Sequence, residues 1–352
     1  MKTYKHLYEK LCSWENLVDA YEKARKGKGG NPRVLEFDKH WKFHLANLYR
    51  ELKTKTYSPS PLKKFLLRDP KTRTICVSDF RDRIVHHALV GALQPIFEPR
   101  FIFDSYASRK GKGTLKAVYR LDSFLRKVTR NGTLRPDEKT NNEVIGFVLK
   151  ADIKHYFDAV NHEVLMSILS KKIKDDNILW LTRTILKNYN SGEEGKGMPL
   201  GNWTSQFFAN VYLNELDQYI KHVLKAKFYV RYVDDFIIVH RSKRVLEEYK
   251  TRIDDFLNSL KLELHPQKCS ILPLKNGVPF VGYTVFYHYK TIRKRNVRNI
   301  FSKTSSLLQN REDKSRYASV LSMLSGWNAY ASHGNTFQLR RKILEKVEKF
   351  SQ

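Results

Sequence analysis

The chain has 352 residues, 41% of them hydrophobic, and 65 Lys and Arg against 36 Asp and Glu, a formal net charge of +29. Such an excess repels itself unless an anionic partner neutralises it, and nucleic acid is the first candidate because each phosphate met by Lys or Arg releases a counterion. No apolar run approaches the ~18 residues that span a bilayer, no signal-peptide stretch opens the chain, and Cys12, Cys76 and Cys269 lack zinc-ligand spacing, which together point to an intracellular protein with reduced thiols, no membrane span and no structural metal.

In chain order, residues 1–60 read as basic helices broken by the Gly-rich "GKGGNP". "SPSPL" (58–62) forces an extended segment. "KKFLLRDPKTRTICV" reads as two strands around a "DPKT" turn, and residues 80–98 have helical periodicity. The polar stretch 129–143 reads as a loop or insertion. "VIGFVLKAD" (144–152) suits a buried central strand. Two helical stretches follow, 161–190 and 203–226, then the strand-like "RYVDDFIIVH", a helix near 243–261 and short strands through 280–289. The remainder is helical and strongly basic. Helices with a mainly antiparallel sheet indicate an α+β fold.

Two adjacent carboxylates inside the apolar run 231–240 call for an explanation. "FYVRYV" and "FIIVH" are both strand-like, so Asp234 and Asp235 fall at a hairpin bend. An Asp-Asp bend is often only a solvated turn. Asp152, however, also ends an apolar strand. Two such strands side by side bring carboxylates together, which repel unless a cation lies between them. Oxygen-only ligands select Mg²⁺, with Mn²⁺ as a possible substitute. Two ions ~4 Å apart serve a nucleotidyl transferase, and an acidic spot in a basic chain suits one.

These residues resemble reverse transcriptases. "YVDD" is similar to their central motif and "LKADIKHYFDAVNH" to their first catalytic-aspartate motif. In order along the chain, "RTICVSDFRDRIVHHAL" resembles the fingers motif and "DSYASRKGKGTLKAV" the segment that touches template and incoming nucleotide. "HPQKCSI" resembles the motif with a lysine near the triphosphate, and "FVGY" the primer grip. One motif narrows the family. Residues 198–206, "MPLGNWTSQ", have Leu200 where retroviral, retron and group II intron enzymes usually carry Gln, and Gln206 where they carry Pro. This motif, and "LSGWNAYASHGNTFQLRRKI" near the C-terminus, resemble the reverse transcriptases of diversity-generating retroelements.

The resemblance implies a right-hand polymerase fold: a basic N-terminal helical extension (1–60), a fingers and palm core with an antiparallel sheet (61–290), and a helical basic thumb (291–352). It implies an RNA-templated DNA polymerase that misincorporates opposite template adenines, making mutagenic cDNA for retrohoming into a target gene. Implied partners are template RNA, the cDNA or primer strand, dNTP and a small, basic, helical, pentameric accessory protein. The implied setting is cytoplasmic, prokaryotic or phage-encoded. The expectation is that no maturase or endonuclease extension follows the thumb-like segment.

By the same resemblance, Asp152 and Asp234 bind two Mg²⁺ ions with the Ile153 carbonyl, and Asp235 assists or only supports that site. Phe157 is the gate against a ribose 2′-hydroxyl, the alternative being a core aromatic. Arg68, Lys71 and Arg73 neutralise the triphosphate, or are solvated hairpin residues. Lys268 protonates the leaving pyrophosphate, or is a surface lysine. Leu200 and Gly201 lie under the incoming nucleotide, unless Leu200 simply packs. Tyr106, Ser108 and Arg109 face the template, by stacking and phosphate contact. Val281, Gly282 and Tyr283 belong to the primer grip, and Arg293, Arg295 and Arg298 to the nucleic-acid path. "GKGT" lacks full phosphate-loop spacing, and the histidines show no metal-ligand grouping. The alternatives are a group II intron-like or defence-associated reverse transcriptase and a non-catalytic RNA-binding scaffold.

Overall fold

Short caps and breaks set the N-terminal helices α1 (Leu7–Leu11), α2 (Trp14–Arg25), α3 (Pro32–Lys39) and α4 (Trp41–Lys53). Ser13 accepts from the backbone of Asn16 at the start of α2, and Pro32 occupies the first turn of α3, where its missing N–H costs nothing. The computed structural model describes residues 2–68, 72–132, 144–308 and 314–351, without the side chains of 307, 308, 314–317, 346 and 348–351. Strands β1 (Lys63–Leu67) and β2 (Arg73–Val77) pair antiparallel, and α5 (Phe80–Phe97) follows. α2 packs along α5, and Phe80 meets Phe37 edge-on with ring centroids 5.0 Å apart. His86 and His87 lie inside α5. Burial pushes them down to about 3 and about 4, so both are neutral packing residues, His87 stacked on Trp203.

The remaining elements are α6 (Thr114–Thr129), β3 (Phe147–Asp152), α7 (Tyr156–Ala159), α8 (His162–Ser170), α9 (Asp176–Lys187) and α10 (Trp203–Gln218), which runs on through one π turn, then β4 (Tyr229–Tyr232), β5 (Asp235–His240), α11 (Lys243–Ser259), β6 (Ser270–Pro273), β7 (Val278–Phe280), β8 (Tyr283–Val285), β9 (Lys290–Ile292), α12 (Lys294–Leu308), α13 (Lys314–Ala331) and α14 (Phe337–Ser351). The single helical stretch expected over 161–190 is divided between α8 and α9. Asp175 is the reason. One of its oxygens caps α9 by accepting from Asn177 and Ile178, and the other accepts from Leu7 and Tyr8 at 2.7 and 2.8 Å. The break anchors the N-terminal helices.

The chain divides into two compact units, 1–108 with 151–226 and 251–268, and 109–150 with 227–250 and 269–352. The first is mainly helical and holds the β1–β2 hairpin. The second holds a four-stranded sheet of order β4-β5-β3-β6 and a three-stranded sheet β7-β8-β9. In it, α6 packs on β4, β5 and β8. Its three C-terminal helices enclose a small core of Ile300, Val320, Leu324, Ile343 and Val347. Helices and antiparallel strands are segregated, as an α+β fold requires.

Candidate active site

Tyr232 pairs with Asp235, so Val233 and Asp234 alone form the loop between β4 and β5. Of these two, only Val233 has positive φ, 56°. A two-residue hairpin with positive φ at its first position normally has Gly there. A β-branched residue in that conformation costs on the order of 1–3 kcal/mol. Arg231 opposes this cost. Its side chain is 0% exposed, and Nη1 donates to the Val233 carbonyl at 2.9 Å. A hydrogen bond from a charged group contributes about 1.5–3 kcal/mol. The turn that presents Asp234 is thus held by a buried guanidinium. Asp235 opens β5 and accepts from Lys150 Nζ at 3.1 Å, and the same ammonium donates to the Pro279 carbonyl at 2.9 Å.

Asp152 is the last residue of β3. Beyond it, Ile153 bridges Leu264 antiparallel. That bridge uses the flanking groups: the Asp152 carbonyl accepts from His265 at 2.8 Å and Lys154 N–H donates to Glu263. The Ile153 carbonyl is therefore directed away from this bridge, whereas that of Asp152 is engaged. Asp152 Oδ1 accepts from Lys268 Nζ at 2.6 Å, with the lysine 40% exposed. Exposed pairs are worth only ~0–1 kcal/mol, so Lys268 is readily displaced. Carboxylate and backbone carbonyl oxygens are hard donors of the kind that Mg²⁺ and Mn²⁺ take. Among the described residues, no group of three or more His, Cys, Asp or Glu side chains gathers to hold a metal. Mg²⁺ sites commonly use one or two carboxylates and complete the shell with water and substrate phosphates.

The segments that carry Phe157, Leu200 and Gly201 are hydrogen-bonded or packed within the first unit. The Phe157 carbonyl accepts from Met198 N–H at 2.7 Å, and the Leu200 carbonyl accepts from Cys76 at 3.0 Å. Gly201 has φ 118°, and a Cβ there would stand 3.0 Å from Ile75 Cγ2 and 3.1 Å from the Cys76 carbonyl oxygen. Half-buried Phe157, half-buried Leu200 and Gly201 therefore share one joint with β2, which opens with exposed Arg73. Arg68 is exposed at the end of β1, and Lys71 lies outside the described residues.

Two expected contacts are corrected. Tyr106 is 3% exposed, with its hydroxyl on Asp104, so its ring offers no face for base stacking. Tyr283 is 0% exposed and donates to the Tyr330 carbonyl at 2.7 Å. Both rings pack inside. Ser108, which is exposed, and Arg109, half-buried, keep a surface position, as do the half-buried Val281 and Gly282. These last two form the β7–β8 turn with φ 35° and 95°. Arg293, Arg295 and Arg298 are exposed at the start of α12.

The turn at 281–282 is fastened by Tyr330, whose hydroxyl donates to the Gly282 carbonyl at 2.8 Å and accepts from Asn296 at 3.1 Å. A Cβ on Gly282 would sit 2.6 Å from that hydroxyl oxygen. Gly282→Ala is expected to lower stability by about 2–3 kcal/mol, from positive φ plus the clash. Gly111→Ala should cost only about 1 kcal/mol, because φ there is 74° but no atom lies within 4 Å. Denaturant midpoints of the two variants check this; equal losses would defeat the steric account.

Sequence reasoning missed Arg231 and Lys150. The available signal was a cation inside each apolar strand, Lys150 two residues before Asp152 and Arg231 three before Asp234.

Protein YkfC of Escherichia coli K12 is 27% identical over 72% of this chain and 72% of its own length. The group II intron-encoded protein LtrA of Lactococcus lactis is 24% identical over 81% of this chain, which spans only 57% of LtrA. The telomerase of Candida albicans, solved with the TWJ fragment of telomeric RNA, has a TM-score of 0.47 at 14% identity, over 83% of this chain and 57% of that one. The profile of the reverse transcriptase (RNA-dependent DNA polymerase) family matches residues 62–285, a span that includes both aspartate strands, the Leu200 turn and the β7–β8 hairpin, and the chain therefore belongs to that family, with its fold.

Proposed function

We propose that the chain is the error-prone RNA-directed DNA polymerase of a diversity-generating retroelement, copying a template-repeat RNA with errors at template adenines. The observation that carries this reading is the Leu200–Gly201 joint, where an aliphatic side chain stands beside Phe157's loop and β2 in place of an amide. Asp152, Asp234 and the Ile153 carbonyl hold two divalent ions, Mg²⁺ or Mn²⁺. When bound, these supply positive charge to an attacking 3′-hydroxyl and a leaving pyrophosphate. The chain's own groups do the rest. Arg68, Lys71 and Arg73 bind the triphosphate, and Lys268, freed from Asp152, gives a proton to pyrophosphate. Phe157 excludes a 2′-hydroxyl. Asp235, tied to Lys150, supports the hairpin. Functionally, residues 1–60 are an extension, 61–290 fingers and palm, and 291–352 thumb. Template RNA, primer or cDNA strand and dNTP are the ligands, and a small, basic, helical, pentameric accessory protein is the proposed partner in a prokaryotic or phage-infected cytoplasm. Among the described residues no helix is long and apolar enough to cross a membrane.

Leu200 supplies the test. An amide at this position would hydrogen-bond near the incoming nucleotide, and one net hydrogen bond is worth ~1 kcal/mol, about fivefold in discrimination. Leu200→Gln is expected to lower misincorporation opposite template adenine several-fold and to change errors opposite other bases less. Sequencing cDNA copied from matched RNA templates by both enzymes reads this directly. Equal adenine error rates would remove Leu200 as the source of infidelity. A group II intron-type enzyme is the second reading, favoured by the similarity to LtrA. It predicts uniformly low error rates in the wild-type cDNA.

A further inference from the structure

We propose that Gln206 is a positioning residue for the template strand, acting through Ser108. Ser108 has φ 53°, the left-handed region that a serine adopts at a cost. Two amides on one face of α10 hold this segment. Gln206 Oε1 accepts from Ser108 Oγ at 3.0 Å, and one helical turn on, Asn210 Nδ2 donates to the Ala107 carbonyl at 2.9 Å. Asn210 is buried and Gln206 half-buried, while Ser108 is exposed. The same helix begins directly after Leu200, Gly201 and Asn202. At that end the Leu200 carbonyl accepts from Cys76, and Asn202 Oδ1 accepts from Ser78 N–H at 3.4 Å. One continuous stretch, 200–210, thus ties the strand that opens with Arg73 to the segment that leads into Arg109. A side chain at 206 that lacks an acceptor removes the bond to Ser108 Oγ and leaves the bond to its neighbour's carbonyl. The template-facing surface then samples other conformations without any change in its charge.

This inference rests on the reading of Ser108 and Arg109 as template-facing. Its test uses the full chain and an RNA-template/DNA-primer hybrid, with Gln206→Ala, Ser108→Ala and the double variant. Hybrid affinity is read by fluorescence anisotropy and the KM values for hybrid and dNTP by primer extension. Each single variant is expected to weaken hybrid affinity and raise hybrid KM about fivefold, the factor one net hydrogen bond is worth. The double variant should be no weaker than either single one, because both remove the same bond, and the KM for dNTP should change little. Unchanged hybrid affinity in Gln206→Ala, or losses that multiply in the double variant, would overturn the proposal. So would a parallel loss of unfolding midpoint and dNTP affinity, which marks a purely structural role. If the wild type bound hybrid but extended no primer, the polymerase reading would fail while the anisotropy comparison still decided the role of Gln206.

Discussion

Asp234→Asn is expected to abolish primer extension, by on the order of 10³-fold or more, the scale on which one electrostatic stabiliser acts in a dry site, while RNA affinity stays close to wild type. The replacement keeps shape and removes one negative charge. The turn should survive it, because Arg231 donates to the backbone carbonyl of Val233, which the replacement leaves in place. Asp152→Asn should give the same result. There the ammonium of Lys268 loses a partner, but it is exposed enough to be solvated, so little stability is at stake. Asp235→Asn is the informative contrast. Asp235 pairs with Lys150 at 3.1 Å, so its replacement should act by loosening the hairpin and cost less activity but more stability than Asp234→Asn. Extension assays beside anisotropy and unfolding midpoints separate these outcomes. Near-wild-type extension by either Asp152→Asn or Asp234→Asn would refute the two-ion assignment.

Reversing the charge of Arg293, Arg295 and Arg298 together should flatten the salt dependence of RNA binding. Each phosphate contact contributes about −0.7 to −0.9 to the slope of log K against log salt, so three lost contacts remove roughly 2–3 from it. A wild type with 6–10 contacts would lose about 10³–10⁵ in affinity between 50 and 200 mM salt. The three side chains are exposed at the start of α12. Its inward residue Ile300 packs with Val320, Leu324, Ile343 and Val347. Folding should therefore tolerate the change. Binding isotherms across a salt series give the slope, and an unchanged slope would place the nucleic-acid path on another surface.

Much of the site was legible in the amino-acid order. Two carboxylates at the bend of a strand pair and a third at the end of an apolar strand contradict the burial that such strands demand, and a contradiction of local rules marks function. Leu200 stood out because its neighbours match a motif in which an amide is usual. The β3, β4, β5 and α5 assignments followed from apolar, β-branched and aromatic runs and from helical periodicity. Other features needed partners far away in the chain. Asp175 divides a helical stretch because Leu7 and Tyr8, 168 and 167 residues away, donate to it. Tyr106 sits in a polar stretch that suits an exposed stacking ring, yet what packs over a ring is decided by other elements, and it is inside, as is Tyr283 of the expected primer grip. Arg231 reads as a polar interruption of a strand, and only its distance to the Val233 carbonyl shows that it braces a strained turn. The role of Gln206 likewise depends on a loop 98 residues before it. Sequence by itself determined which residues carry charge, period and turn chemistry, because these are local properties. Tertiary structure decided which polar groups meet and which aromatic faces are covered, because hydrogen bonding and burial belong to pairs of segments that no local pattern joins.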